Sequence, residues 1–150
     1  MNTHKKIYTL TLSAILIAVG TVIPLFMPKV IVGPMSFTLA SHVAVMLALF
    51  ISPSVAAAVA LGTTLGFLIA GFPFVVVLRA LTHVVWALVG SLYVQKHPET
   101  FQSPEKSILF NLCIALLHAI GEMIVVVPFY WGGTGMDMQT FCYMSLDLLV

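Results

Sequence analysis

Residues 72–94, FPFVVVLRALTHVVWALVGSLYV, run through a membrane-spanning length with a single permanent charge, Arg79, and a histidine four residues later, His83. About 20 apolar residues, each rising 1.5 Å, cross a hydrocarbon core. A guanidinium inside that core costs roughly 2.5 to 3.5 kcal/mol on insertion scales, so a partner or a ligand must compensate it. Arg79 is therefore the first residue to consider for function. Further along, the apolar run of residues 108–131 carries His118 and Glu122, again four apart. That spacing places each pair on one face of its helix. Two polar faces on otherwise apolar helices point to one shared pocket.

The composition agrees with this reading. The 150 residues are 61% hydrophobic and only 7% charged, with a mean hydropathy of +1.13. Those values exclude an ordinary water-soluble globule and identify an integral membrane protein, read here as a single transmembrane domain over residues 1–150. The net charge is +1, and the only paired basic residues are Lys5 and Lys6. Nothing in the chain calls for nucleic acid. Cys113 and Cys142 lack CxxC spacing and read as small buried hydrophobes. There is no phosphate-binding GxxxxGK[ST] loop and no nucleophile elbow, so the chain neither hydrolyses ATP nor carries a soluble active site. It is not expected to be an enzyme or to hold a resident cofactor.

Spans follow from apolar length and from turn residues. A first helix is expected over residues 7–26, retained in the membrane because no A-x-A cleavage pattern follows it. Pro28, Gly33 and Pro34 then make a loop, and a short second helix covers residues 38–51, stopped by Ser52 and Pro53. Pro53 suits the first position of a third helix running to Ala70, and Gly71, Phe72 and Pro73 form a tight turn into a fourth helix ending near Gln95. The aqueous segment KHPETFQSPEK, residues 96–106, precedes a fifth helix to Trp131. Residues 138–150 begin a sixth that the chain does not complete. The fold class is thus an all-α bundle of six transmembrane helices, the last one short. Lys5, Lys6, Lys96 and Lys106 fall on one side and Lys29 on the other, which puts the N-terminus in the cytoplasm of a multi-pass protein of the cell membrane. Arg79, His83 and Glu122 then occupy the outer halves of their helices, at matching depth.

Each candidate has an ordinary structural reading beside its functional one. Arg79 suits a clamp for an anionic ligand, two parallel donors meeting a carboxylate, or a structural ion pair with Glu122. His83, His118 and His42 serve as donors in a pocket or as packing histidines. Three imidazoles on three helices also resemble an open metal site, but no HxxH, HExxH or cysteine ligand supports one, and no metal is expected. Tyr130 and Trp131 anchor the outer interface or stack on an aromatic ligand, while Trp86 reads as core or lipid-facing. Asn111 is expected to bond a neighbouring helix. Ala14 and Ala18 form an AxxxA face, and Ala58, Gly62, Gly66 and Ala70 a longer small-residue ladder, both suited to close helix approach. The ladder is expected to pack within the bundle; the AxxxA face packs there or docks a separate membrane subunit.

Three stretches carry a family resemblance: TLSAILIAVGTVIPLF (residues 11–26), SFTLASHVAVMLALFISPSVAAAVALGTTLGF (36–67) and GFPFVVVLRALTHVVWALVG (71–90). The chain resembles the substrate-binding membrane subunits, the S components, of energy-coupling factor (ECF) vitamin transporters, most of all the niacin-specific type. The resemblance covers nearly the whole chain, and its most specific part lies between FTLASHV and LRALTH. It implies a six-helix bundle that encloses a vitamin near its outer face. It further implies that Ala14 and Ala18 dock a transmembrane coupling protein driven by two ATPase subunits. Niacin, a flat pyridine with a carboxylate, would take Arg79 as carboxylate clamp, His83 or His118 as partner of the ring nitrogen, and Tyr130, Trp131 or Phe74 as aromatic slot. Glu122 would orient Arg79 or a histidine, and His42 would contribute a further donor. Competing readings are another small vitamin such as pyridoxine, a membrane-embedded enzyme using His118 and Glu122 as acid and base, and a channel or assembly factor without a ligand.

Overall fold

A computed structural model describes the backbone of residues 3–32, 35–38 and 42–131 and the side chains of residues 3–28 and 42–128. The described helices are α1 (Thr3–Phe26), α2 (Val43–Leu49), α3 (Pro53–Ile69), α4 (Phe74–Lys96) and α5 (Pro104–Trp131), with a short 3-10 turn, Pro98–Gln102, between the last two. Helices α1, α4 and α5 are each long and apolar enough to cross a membrane, and α3 is a shorter apolar helix. The expected sixth helix, with Cys142 and Asp147, lies outside the described residues.

The distribution of side chains is inverted relative to a soluble protein. Leu10 and Ile15 on α1, Leu61 and Leu65 on α3, Val85 and Val89 on α4, and Leu109, Leu112 and Leu116 on α5 are exposed. Ser13, Thr63, Thr64, His83, Ser91 and Glu122 are buried. Lipid receives the apolar faces, and polar groups find partners inside the protein. Three of these buried hydroxyls bond back to their own helix, Ser13 to the Thr9 carbonyl at 2.8 Å, Thr63 to that of Val59 at 2.9 Å and Thr64 to that of Ala60 at 2.8 Å. Ser91 instead donates across the bundle to the carbonyl of Leu49 at 2.8 Å. That bond satisfies a backbone acceptor left over at the end of α2.

The small-residue ladder sets how closely α1 meets α3. A methyl added at Gly62 would fall on Ile17, one at Gly66 on Thr21, and one at Gly20 would lie 2.5 Å from Thr63. Residue numbers rise together along this seam, so α1 and α3 run parallel. Across α4 and α5 they run oppositely: Thr82 approaches Gly121, and Gly90 approaches Ile114. These two helices are antiparallel. Ala14 and Ala18 are exposed on α1, whereas Ser13, Leu16 and Gly20 face inward. The AxxxA face is thus exposed on the described bundle.

Chain reversals follow their sequences. Ser52, extended ahead of Pro53 as proline requires, accepts a hydrogen bond from the Val55 amide at 3.2 Å and caps α3. At the other end Gly71 adopts φ +76°. Its amide reaches the Leu68 carbonyl at 3.2 Å and that of Phe72 reaches Phe67 at 3.1 Å. This is a Schellman closure, completed by stacking of Phe67 on Phe72 at 4.8 Å.

Four expectations are corrected. The segment read as a plain loop contains an antiparallel hairpin of β1 (Lys29–Val32) and β2 (Met35–Thr38), with Lys29 opposite Thr38. The β-branched run Val30, Ile31 and Val32 favours extended pairing, so the described fold is helical with one small ribbon rather than purely α. The second helix begins at Val43, not near residue 38, because β2 already occupies that stretch. Cys113 is exposed, since it shares the outward face of α5 with Leu109, Leu112 and Leu116. Asn111 is exposed too, and donates to the Ser107 carbonyl of its own helix at 2.9 Å.

Candidate functional site

Arg79 and His83 lie in the first half of α4, and His118 and Glu122 in the second half of α5, so antiparallel packing brings the four to one level. Arg79 is about 8 Å along α4 from its first residue. Gly121 lets α5 come close at this level, because a methyl there would be 3.3 Å from Thr82. Glu122 is consequently driven against α4 and is 3% exposed.

Its two oxygens have separate duties. Oε2 accepts from Arg79 Nε at 2.9 Å and lies 2.8 Å from Nη2. Oε1 faces the imidazoles, 3.3 Å from His118 Nε2 and 3.5 Å from His83 Nε2. The two Nε2 atoms are themselves 3.3 Å apart. His42, just before α2, closes the group from a third direction. Its ring centre is 4.8 Å from that of His83 and 4.9 Å from that of His118. Histidine, carboxylate and guanidinium thus form one continuous polar cluster within an apolar bundle.

Of the five Arg79 N–H groups, that of Nε is hydrogen-bonded to Oε2, with Nη2 in ion-pair contact beside it. Its side chain remains 22% exposed, the most open of Arg79, His83, His118 and Glu122. An anion reaching the site would meet a guanidinium already oriented by Glu122. Beneath the histidines, the Trp86 ring lies 5.5 Å from that of His83 and 5.8 Å from that of His118. Trp86 is buried, and its indole N–H has no hydrogen-bond partner among the described residues. A buried donor of this kind is costly unless a ligand supplies the acceptor.

Arg79, His83, His118, Glu122 and His42 are brought together. Phe74 is exposed at the start of α4, apart from the cluster. Tyr130 and Trp131 end α5, and their side chains lie outside those described. Trp86, not expected among the site residues, packs against the cluster. It follows His83 by three positions and Arg79 by seven, a helical spacing that puts all three on one stripe.

No family model and no solved structure matches the chain. The niacin transporter NiaX of Lactococcus lactis subsp. cremoris (strain MG1363) is 46% identical to it over 126 residues, which make up 83% of this chain and 57% of that protein. The chain therefore spans little more than half the length of this relative. Identity at that level across most of the chain, together with buried polar helix faces in a membrane bundle, agrees with the resemblance to ECF transporter S components carried by its helix motifs.

Proposed function

We propose that the protein captures nicotinate at the outer side of the membrane and delivers it through an ATP-driven ECF complex. The observation that carries the reading is the guanidinium of Arg79, held by Glu122 beside His83 and His118 in an apolar bundle. The carboxylate of nicotinate answers the unused donors of Arg79, its ring nitrogen answers an imidazole or the indole N–H of Trp86, and its flat ring suits the neighbouring aromatic side chains. The name of the Lactococcus relative supports the choice of vitamin.

Orientation rests on the lysines. Because α1 runs parallel to α3 while α4 and α5 alternate, Lys5, Lys6, Lys96 and Lys106 share one end of the bundle, opposite the site and Lys29. The positive-inside rule makes that end cytoplasmic and the site external.

Equilibrium titration of the detergent-purified protein tests the substrate. Nicotinate is expected to bind saturably, with nicotinamide and pyridoxine much weaker, since neither offers a carboxylate to Arg79. In a Trp131→Phe variant, where Trp86 is the remaining tryptophan, nicotinate is expected to change the intrinsic fluorescence. A response to pyridoxine alone would keep the family and overturn the vitamin.

The exposed Ala14 and Ala18 face fits a coupling membrane protein, which small residues let approach closely. Replacing both with leucine is expected to leave nicotinate binding intact and abolish uptake by the assembled complex. Unchanged uptake would remove this face from the interface.

A further inference from the structure

Arg79 alone explains the recognition of a carboxylate, and a ring nitrogen needs at most one imidazole, which leaves at least two of the three histidines unaccounted for. His42, His83, His118 and Glu122 each offer one ligand atom, and all of these atoms lie within 4.8 Å of one another. Three of them form a nearly regular triangle. Its edges are 3.3 Å between the Nε2 atoms of His83 and His118, 3.3 Å from His118 to Oε1 of Glu122, and 3.5 Å from His83 to the same oxygen.

Hydrogen bonds cannot make all three edges favourable. If both Nε2 atoms carry protons, both donate to Oε1 and then face each other as donors. If one Nε2 is bare, the proton on the other satisfies a single edge, and a lone pair still faces another lone pair. A central cation resolves the triangle. Zinc binds nitrogen and carboxylate oxygen at about 2.0 to 2.1 Å. Ligands at tetrahedral angles around such an ion are 1.63 times that distance apart, about 3.3 to 3.4 Å. The triangle's edges, 3.3, 3.3 and 3.5 Å, match this spacing to about 0.2 Å.

We propose that His42, His83, His118 and Glu122 hold one divalent first-row transition-metal ion, zinc fitting best. Three imidazoles and one carboxylate are borderline ligands that suit Zn²⁺, Co²⁺ or Ni²⁺, whereas Mg²⁺ and Ca²⁺ select oxygen. His83, His118 and Oε1 are in place, and His42 supplies the fourth ligand or yields that position to an incoming group. Arg79 holds Oε2, so Oε1 stays directed at the ion, an outer contact of the kind that orients metal-binding carboxylates. The indole N–H of Trp86, buried beside His83 and His118, offers a donor to a ligand at the open position.

Charge then links the ion to the substrate. Arg79 and Glu122 cancel, so a divalent ion leaves two positive charges within the bundle, and an anion beside it is favoured. Metal and nicotinate are therefore expected to strengthen each other's binding, and by linkage to the same factor. This coupling rests on the nicotinate reading; the metal site itself does not.

The test uses tag-free, detergent-purified protein treated with chelator and titrated with Co²⁺ alone, followed by competition with Zn²⁺. One equivalent of Co²⁺ with the intense visible absorption of a tetrahedral centre, displaced by Zn²⁺, is expected. His83→Gln and His118→Gln, which keep a hydrogen-bonding side chain without an imidazole, should each weaken Co²⁺ binding by 100-fold or more. His97→Ala, at the opposite end of α4, should leave it unchanged. Nicotinate titration of the same samples separates the two readings. Wild-type protein that binds nicotinate but takes up no stoichiometric Co²⁺ overturns the metal site, as does Co²⁺ uptake indifferent to both glutamine variants. Specific Co²⁺ uptake without nicotinate binding sustains the metal site and removes the vitamin.

Discussion

Arg79→Ala is expected to abolish nicotinate binding, with a loss of 100-fold or more. A hydrogen bond to a charged group is worth about 1.5 to 3 kcal/mol, so losing a two-donor clamp removes roughly 3 to 6 kcal/mol. Each 1.4 kcal/mol is about a factor of ten in affinity. The substitution also strands Glu122, whose buried carboxylate would then present an unneutralised charge to an incoming anion. Arg79→Lys should fall between the two, because an ammonium keeps the charge and loses the planar fork. Calorimetric titration of monodisperse protein measures the effect. Near-normal affinity in Arg79→Ala would assign the guanidinium to a purely structural ion pair.

Glu122→Ala carries the second large effect, on stability. Removing one partner of a buried pair costs about 3 to 5 kcal/mol, because the other charge stays without compensation. Here the stranded group is a guanidinium among apolar helices, and His83 and His118 lose their shared acceptor as well. A fall in the unfolding midpoint on the order of 10 °C is expected in a detergent thermal-shift assay. The double variant Arg79→Met with Glu122→Met should recover most of that loss, since well-packed apolar residues replace a buried pair at little cost. Failure of the double variant to recover would mean that packing of α5 on α4, rather than stranded charge, dominates the single variant. Neither variant should bind nicotinate tightly.

The spacing of residues carried much of the architecture. Arg79 with His83, and His118 with Glu122, each share a helix face because the helical period allows nothing else. The tight turn at Gly71 was legible because a Schellman closure needs a residue tolerant of positive φ. Ser52 and Pro53 marked a helix boundary for an equally local reason. The hairpin at Lys29–Thr38 was missed because four-residue strands have no periodicity strong enough to outweigh the Gly and Pro residues around them. Trp86 was not expected against the cluster because an indole in an apolar helix resembles any other large core residue until its neighbours are known.

Apolar run lengths and two intramembrane charges thus pointed, by themselves, to a membrane protein and to Arg79 and Glu122 as its candidate site residues. A residue that costs energy in lipid announces itself in one dimension. Only the tertiary structure decided that Arg79 meets Oε2 while the histidines gather at Oε1, and that Trp86 closes the same cluster. Helix rotation and antiparallel register set those contacts, and both depend on packing between segments far apart in the chain, through close approaches such as Gly121 on Thr82.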